Sequence, residues 1–477
     1  MKTAFDESWK NWIKTNVDNG QEKDGIFKIL LDEGYDYHAI CREMNYKPSV
    51  PLDQLRNPFT DAKRLLARCD EDNGALINTN QLFLPNAKRV ESDRLELYTL
   101  EDFLDEDECA QFVQLIRSSL KPSGLSSYEK DSSYRTSRTC DLAQLQNPFV
   151  KEVDDRICKI MGIHSSYSEA IQGQYYEVGE EFKAHTDYFE AHELQEHGAE
   201  MGQRTFTVMI YLNDTKKGGH TKFVNIDSQF EPKTGTAVIW NTLNADGSIN
   251  FDSIHHGMPV EEGYKAVITK WFRSTSSSNQ EQPMFIKERN EFVPNYTKIG
   301  FKKTKIPSDL FAKILKFYRE NGNLTEDEII PGDFFYTKEK GKQSSVLIDL
   351  SPELRTEIHE TMQPLLEKWC GQRLDPTFVY GIRVYKDKAI LTPHRDRVDT
   401  HIISAIINVG QEVREDWPLI LDDNYYRSHR VVMEPGDVLF YEGARLAHGR
   451  PIALNGKSFA NIFCHFKLAD YMATGSV

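Results

Sequence analysis

Residues 175–187 read YYEVGEEFKAHTD, and residues 255–265 read HHGMPVEEGYK. The first stretch supplies His185 and Asp187, and the second supplies His255. Because side chains alternate along a β-strand, a His-x-Asp triplet at a strand end turns both side chains to one face. A third residue that joins them from 70 positions further on must come from a neighbouring strand. The spacing therefore predicts a closed barrel of short strands with a metal site inside it.

The predicted ligands are two imidazoles and one carboxylate, from His185, Asp187 and His255. Such a set on one face of a metal leaves open coordination positions and is typical of non-haem Fe(II) oxygenases. His256 competes with His255, and since neighbouring strand residues face opposite ways, only one of the two is expected to face the metal. The ten-residue step from His255 to Lys265 favours His255.

Lys265 is expected to point into the barrel, because Val267 and Trp271 share its parity on the strand and look interior. A charge facing a protein interior is costly unless it is paired. A co-substrate carboxylate would pair it, and the hydroxyl of Tyr176 would add a hydrogen bond. The alternative is a solvated lysine on the outside of the strand.

The composition limits the classes of function. At 477 residues the chain is expected to hold two or three domains, and its formal net charge of −15 argues against a nucleic-acid partner. No run is apolar enough to predict a membrane span, and the amphipathic, charged residues 1–19 predict no signal peptide. The seven cysteines form no Cys-x-x-Cys pair, which predicts neither a disulfide framework nor a zinc site and favours a reducing, cytoplasmic compartment. The oligomeric state is left open.

The order of elements predicts an α+β fold with two double-stranded β-helix (jelly-roll) domains, flanking helices and a small N-terminal helical unit. Short strands with Gly and Pro turns follow each helical stretch, and they include 265–273 in the first copy and 378–385 in the second. The predicted segments are a helical unit at 1–50, a connector at 51–93, a first jelly-roll domain at 94–275, a polar linker at 276–283 and a second jelly-roll domain at 284–477.

The second half of the chain carries a looser copy of the same pattern. His394 and Asp396 repeat the triplet, and His448 stands in the place of the third ligand. In each copy a tyrosine lies nine residues before the triplet, and a glycine lies five residues before a large aromatic residue. The matched residues are Tyr176 with Tyr385, Gly235 with Gly436, and Trp240 with Tyr441. An internal repeat of this size predicts two related barrels.

The stretch from about 95 to 273 resembles the catalytic domain of prolyl 4-hydroxylases, in the 2-oxoglutarate/Fe(II) oxygenase superfamily. The motifs that carry the resemblance are Tyr-x8-His-x-Asp (Tyr176, His185, Asp187), Arg-x2-Thr-x3-Tyr-Leu-Asn (Arg204 to Asn213), Gly-Gly-x-Thr-x-Phe (Gly218 to Phe223), Gly-x-Ala-x2-Trp (Gly235 to Trp240) and His-x-Gly-x-Pro-Val-x2-Gly-x-Lys (His255 to Lys265). The stretch from 378 to 467 resembles a looser barrel of the same superfamily.

The resemblance implies an enzyme that uses Fe(II), 2-oxoglutarate and O2, with ascorbate (vitamin C) as a candidate auxiliary. It implies that Lys265 holds the far carboxylate of 2-oxoglutarate, that Tyr176 and Thr221 contribute to that site, and that the substrate side is shaped by Arg135, Trp240 and Trp271. The expected reaction hydroxylates prolyl residues of a peptide or protein and forms succinate and CO2. The alternatives are a free amino acid or other small metabolite as substrate, or a scaffold or sensor whose second barrel binds a partner without chemistry.

The co-substrate site of the second copy is less complete. Tyr385 is present, but Ser458 stands ten residues after the last histidine, where the first copy has its lysine. A one-residue deletion would bring Lys457 into register, and Arg450 is another candidate carboxylate partner. The second barrel is therefore expected to be either a second iron-binding centre or a domain kept for packing, dimerisation or substrate docking.

Overall fold

The structure is a computed structural model, and it describes residues 2–5, 9–10, 13–14, 17, 23–52, 55, 82–123, 135–190, 193–194, 197–198, 200–244, 246–278, 282–327, 335–337 and 344–469. Most of the predicted connector, part of the predicted linker and the last eight residues of the predicted second domain lie outside these ranges. Among the described helices, none is both long enough and apolar enough to cross a bilayer.

The described residues form six helices, of which the last four flank the sheets and the first two pack in a separate N-terminal apolar cluster. They are α1 (Lys23–Asp32), α2 (Tyr37–Met44), α3 (Glu106–Ser118), α4 (Pro148–Met161), α5 (Ser308–Asn321) and α6 (Pro352–Cys370). Local sequence explains where they begin. Asp105 and Glu108 form a reciprocal capping box at α3, and the Ser351 hydroxyl accepts a hydrogen bond from the Leu354 amide at the start of α6.

The N-terminal sheet pair consists of the strands between residues 88 and 273. These are β1 (Lys88–Arg89), β2 (Leu97–Leu100), β3 (Lys121–Pro122), β4 (Arg138–Asp141), β5 (Gln172–Tyr176), β6 (Phe182–His185), β7 (Arg204–Tyr211), β8 (Lys217–Gly218), β9 (Thr221–Phe223), β10 (Ser228–Phe230), β11 (Ala237–Asn241), β12 (His255–Gly257), β13 (Val260–Glu262) and β14 (Lys265–Arg273). The larger sheet has the order β1-β2-β11-β7-β14-β5-β4-β3, the smaller has β10-β9-β12-β6, and β8 pairs with β13.

The C-terminal sheet pair consists of the strands between residues 301 and 468. These are β15 (Phe301–Lys305), β16 (Glu326–Asp327), β17 (Phe335–Thr337), β18 (Ser345–Ile348), β19 (Leu374–Val379), β20 (Ile382–Lys386), β21 (Ala389–His394), β22 (Ile403–Val413), β23 (Leu419–Asp422), β24 (Ser428–Val431), β25 (Asp437–Tyr441), β26 (His448–Arg450) and β27 (Gly456–Leu468). Its larger sheet has the order β15-β25-β22-β27-β20-β18-β16, with β19 also on β27, and its smaller sheet has β17-β21-β26-β23-β24.

The two sheet pairs repeat one topology. The run β2-β11-β7-β14-β5 corresponds to β15-β25-β22-β27-β20, and β9-β12-β6 corresponds to β23-β26-β21. In each pair one face of the larger sheet packs on helices, while the other face looks toward the smaller sheet across a second apolar cluster. The sequence repeat is thus matched by a repeat of strand pairing.

The second copy departs from prediction at residues 378–385, which are divided between β19 and β20. The chain bends at Gly381, where a Cβ would lie 2.4 Å from the Ile348 carbonyl oxygen. The bend lets β19 pair with the end of β27 and β20 pair with its beginning.

The two sheet pairs are in contact. Arg427 donates hydrogen bonds to the carbonyl oxygens of Asp102 and Phe103 at 2.6 and 2.7 Å. Tyr425 packs into the helix-side core of the N-terminal pair. The C-terminal pair is therefore joined to the other by both polar and apolar contacts.

Candidate metal centre and co-substrate pocket

The N-terminal triad consists of His185, Asp187 and His255, and the structure brings all three together. His185 ends β6 and His255 begins β12, and the two are direct partners across the smaller sheet. One ligand atom from each of the three lies within 4.8 Å of the others, and His255 Nε2 is 3.9 Å from Asp187 Oδ2. The prediction that the third residue comes from an adjacent strand agrees with this geometry.

Hydrogen bonds orient both imidazoles. His185 Nδ1 lies 2.7 Å from the Lys183 carbonyl oxygen, and His255 Nδ1 lies 3.0 Å from that of Ser253. A carbonyl can only accept, so each Nδ1 carries the proton and each Nε2 presents a lone pair to the centre. Burial, with His255 nearby, holds the pKa of His185 well below its usual value. Neutral imidazoles with free Nε2 atoms are the form that binds a metal.

The carboxylate is also held in place. Thr207 Oγ1 donates a 2.6 Å hydrogen bond to Asp187 Oδ2, and Arg204 Nη1 donates a 3.4 Å bond to the Asp187 backbone carbonyl. The donor set and its supports fit a divalent metal of the Fe(II) class, with two nitrogens and one oxygen on one side and the cavity on the other.

His256 is not part of the triad. Its Nε2 lies 2.8 Å from Glu181 Oε2, on the opposite face of β12 from His255. Of the two neighbouring histidines, the structure turns His255 toward His185 and Asp187 and turns His256 to the other face of the strand.

Lys265 stands at the start of β14, opposite Tyr176 on β5. It is only 2% exposed, and burial lowers its pKa to about 7. Its one hydrogen bond within the described residues runs to Thr221 Oγ1 at 3.4 Å, and Thr221 in turn accepts a 2.7 Å bond from Tyr211 OH. In the part of the chain that the structure describes, no carboxylate pairs with Lys265. A buried amine of this kind fits an anionic ligand.

A cavity of about 800 Å³ joins these groups. Its lining includes the N-terminal triad, all three residues of the predicted co-substrate site and all three of the predicted substrate side: Tyr176, Thr221, Lys265, Arg135, Trp240 and Trp271. The Arg135 guanidinium lies 4.6 Å over the Phe182 ring, and that of Arg204 lies 4.0 Å over Trp271. The structure thus places every predicted first-site residue around one space.

Three neighbours of the site were not predicted from the sequence as functional. Thr207 and Arg204 lie in a motif that was recognised, but spacing alone does not show that they contact Asp187. Phe182 stacks on His185, with ring centroids 3.4 Å apart, and no periodic signal marks it. Its position three residues before the histidine, on the same short strand, is the only local clue.

The C-terminal triad consists of His394, Asp396 and His448, and it has the same construction. The two Nε2 atoms lie 3.8 and 3.7 Å from Asp396 Oδ1. Each Nδ1 faces a carbonyl two residues earlier, that of Thr392 or Leu446, at 2.9 Å. Its ligand atoms also lie within 4.8 Å of one another.

The carboxylate of the C-terminal triad has a different support. Tyr441 OH donates a 3.1 Å hydrogen bond to Asp396 Oδ2. Burial, together with this carboxylate, raises the pKa of Tyr441 well above its usual value, so the hydroxyl stays protonated. Its ring packs on His448 as Trp240 packs on His255, with centroids 4.8 and 4.9 Å apart.

The predicted co-substrate residues of the second copy separate into two groups. Tyr385 and Arg450 are fully buried, whereas the Lys457 side chain is 78% exposed and pairs with Glu412. The prediction that Lys457 binds a co-substrate carboxylate is therefore wrong, because its position on β27 turns the side chain out to solvent. In register, Phe459 lies opposite Tyr385, as Lys265 lies opposite Tyr176. Ser458, at the ten-residue spacing, is likewise not the counterpart of Lys265.

Comparisons with known proteins agree with the first site. Residues 171–273 match the family model described as the 2OG-Fe(II) oxygenase superfamily. A putative prolyl 4-hydroxylase of Acanthamoeba polyphaga mimivirus is 30% identical over 187 residues, which are 38% of this chain and 75% of that protein. Prolyl 4-hydroxylase subunit alpha-1 of Rattus norvegicus is 28% identical over 261 residues, or 52% of this chain.

The chain spans about half the length, 46%, of that rat subunit. Among solved structures, a viral collagen prolyl hydroxylase from Paramecium bursaria chlorella virus 1, in complex with 2-oxoglutarate, is 18% identical, with a TM-score of 0.29 over 37% of this chain and 95% of its own. From the mimivirus relative, the family model and the site geometry, the chain belongs to the 2-oxoglutarate- and Fe(II)-dependent dioxygenases, as a prolyl 4-hydroxylase-like member of that superfamily.

Proposed function

We propose that the N-terminal sheet pair hydroxylates prolyl residues in a peptide or protein, with 2-oxoglutarate as co-substrate and with succinate and CO2 as co-products. The observation that carries the proposal is the position of Lys265, a buried amine that pairs with no carboxylate of the described residues, in the cavity that the N-terminal triad also lines. Bound at the triad, Fe(II) supplies the activation of O2 that couples decarboxylation of the co-substrate to hydroxylation of a C–H bond.

Lys265 binds the far carboxylate of 2-oxoglutarate, and Thr221 adds a hydroxyl beside the amine. With Fe(II) at the triad, one end of 2-oxoglutarate would be held by the metal and the other by the Lys265 ammonium, both of opposite charge to its carboxylates. Asp187, held by Thr207, keeps the third coordination position filled, and the aromatic rings of Phe182, Trp240 and Phe223 keep water away from the imidazoles.

The open side of the cavity supports a polypeptide substrate. Phe251 lines the mouth and is 66% exposed, which suits a ligand that extends beyond the cavity. The lining also carries a hydrogen-bonded chain of one hydroxyl and two side-chain amides: Thr269 donates to Gln174 Oε1 at 3.0 Å, and Gln174 donates to Gln172 Oε1 at 3.2 Å. Side-chain amides of this kind complement backbone amides, and the names of the relatives in the comparisons support a prolyl residue at the reacting position.

The test is mass spectrometry of proline-containing peptides after incubation with Fe(II), 2-oxoglutarate and O2. The expected result is the gain of one oxygen atom on a prolyl residue, lost in His185→Ala and retained in His256→Ala. Absence of product from every proline-containing peptide, with succinate formation stimulated by a free amino acid instead, would replace the peptide by a small substrate. The use of ascorbate, the cytoplasmic location and the division into two oxygenase-like domains stay predictions.

A further inference from the structure

Strand register makes the two pockets comparable residue by residue. Each triad has its two histidines paired across the smaller sheet, His185 with His255 and His394 with His448. Two positions further along, Gly257 on β12 corresponds to Arg450 on β26. The lysine position of the first pocket corresponds to Phe459 in the second, because each lies opposite the equivalent tyrosine.

These correspondences describe an exchange of positions: the cation lies on β14 in the N-terminal pair and on β26 in the C-terminal pair. A Cβ built on Gly257 would lie 3.8 Å from Lys265 Nζ, so a side chain at that position of β12 points at the place where the ammonium lies. In the C-terminal pair, Arg450 takes the position of Gly257, and Phe459 takes the position of Lys265. The Phe459 ring lies 4.5 Å from the guanidinium carbon of Arg450. The second pocket thus has a cation in the same region, supplied by the neighbouring strand.

The guanidinium is held but incompletely satisfied. Arg450 is 1% exposed, lies between the rings of Trp417 and Phe459, and donates from Nη1 to the Trp417 carbonyl oxygen. Its Nη2 has no hydrogen-bond partner within the described chain, and no acidic side chain there pairs with it. Asn408 Oδ1, at the position that corresponds to Tyr211, is also buried without a partner.

A buried cation with an unpartnered nitrogen beside three metal-ligand side chains requires an anion. A guanidinium presents its N–H groups in a plane that matches a carboxylate. A metal held by this triad would keep open coordination positions, which a chelating 2-oxo acid group would fill.

From this geometry we infer that the C-terminal triad is a second metal site that binds a dicarboxylic 2-oxo acid, with Arg450 as the anchor of its far carboxylate. This goes beyond the function proposed for the first pocket, and it does not depend on the substrate of that pocket. Arg450 Nη2 is thus available to a ligand, in the region that corresponds to the Lys265 ammonium of the first pocket.

The experiment uses the full chain with the first site disabled by His185→Ala. The protein is titrated anaerobically with Fe(II), then with 2-oxoglutarate, and binding is followed by calorimetry and by the visible absorption of the chelate. The expected result is one equivalent of Fe(II), lost when His394→Ala is added, and one equivalent of 2-oxoglutarate. Arg450→Gln in the same background should keep the metal and weaken 2-oxoglutarate binding at least about tenfold. Lys457→Gln is the matched control on the exposed cation and should bind as the background does.

A second experiment compares two ligands and leaves Arg450 unchanged. Pyruvate shares the chelating 2-oxo acid group but lacks the far carboxylate, so it should bind the background variant at least about tenfold more weakly than 2-oxoglutarate. Failure to bind Fe(II) in His185→Ala, equal affinities for the two acids, or unchanged 2-oxoglutarate affinity in a folded Arg450→Gln variant would each overturn the inference. Because the first site is disabled, none of these outcomes bears on prolyl hydroxylation.

Discussion

The two pockets share a metal cage but differ in the groups around it. In each, two short contacts from Nδ1 to a backbone carbonyl oxygen turn the imidazoles toward a carboxylate. The cation comes from β14 in one and from β26 in the other, and the substrate side differs too. His465 occupies the register position of Trp271, and its Nδ1 lies 2.7 Å from Ser404 Oγ. The three metal-ligand side chains are therefore alike in the two pockets, while the residues around them differ. A shared triad does not imply a shared substrate.

The largest expected effect separates the two triads. His185→Ala removes a ligand of the first cage, so prolyl hydroxylation should fall by more than about 100-fold, since loss of mere supporting contacts already costs about 10- to 100-fold. His394→Ala should leave that reaction unchanged, and each variant should lose one of two bound Fe(II) ions. Succinate formation and metal stoichiometry are the measurements. Equal loss of hydroxylation in both variants would contradict the separation and show that the pockets act together.

The next effect concerns the cation of the first pocket. Lys265→Met should keep Fe(II) binding and raise the KM for 2-oxoglutarate by about 10- to 100-fold, because a hydrogen bond to a charged group is lost. A raised KM for 2-oxoglutarate with little change in kcat separates a loss of co-substrate binding from a general loss of structure. Thr215→Ser, which changes no triad residue, serves as a folding control.

The exchange of positions suggests a rescue. Gly257→Arg combined with Lys265→Phe copies the second arrangement into the first pocket, and the new Cβ meets its nearest atoms at 3.6 Å or more. The double variant should recover at least part of the 2-oxoglutarate affinity that Lys265→Met loses, measured by anaerobic titration. Binding no tighter than that of Lys265→Met would show that the two cations do not serve the same region.

A pH profile also distinguishes the pockets. Burial lowers the pKa of the free Lys265 amine to about 7. Binding needs the charged form, so affinity of the first pocket for 2-oxoglutarate should be flat below about pH 7 and fall by up to about tenfold per pH unit above it. An arginine stays charged over this range, so the second pocket, measured in His185→Ala, should show no such fall. A flat profile in His394→Ala, where only the first pocket is left, would contradict the role given to Lys265.

Much of this site was predictable from residue types and spacing, while its geometry was not. Lys265 to Arg273 forms a strand with the predicted bounds, because nine buried residues give a strong signal. The triad residues lie on β6, β12, β21 and β26, or just after them, and these strands have only three to six residues with polar or glycine content, too few for a periodic pattern. Lys457 and Arg450 were both candidate carboxylate partners, because linear spacing cannot register which strand supplies a cation. The pairing across the smaller sheet separates them, since it places Arg450 two residues beyond the paired His394 and His448.

The smallest expected effect tests how each carboxylate is held. Thr207 Oγ1 and Tyr441 OH do the same work for Asp187 and Asp396, but the first hydrogen bond is 2.6 Å and the second 3.1 Å. Thr207→Val should weaken Fe(II) binding at the first triad about tenfold, and Tyr441→Phe should weaken it at the second by no more than that, since supporting contacts of this kind tune metal affinity. Thr207→Ser keeps the hydroxyl and should restore most of the affinity, measured in the His394→Ala background so that one site is read at a time. If valine and serine at 207 bind Fe(II) equally well, the hydroxyl does not hold the carboxylate, and the closeness of Asp187 to its imidazole partners must come from the fold of the strand end alone.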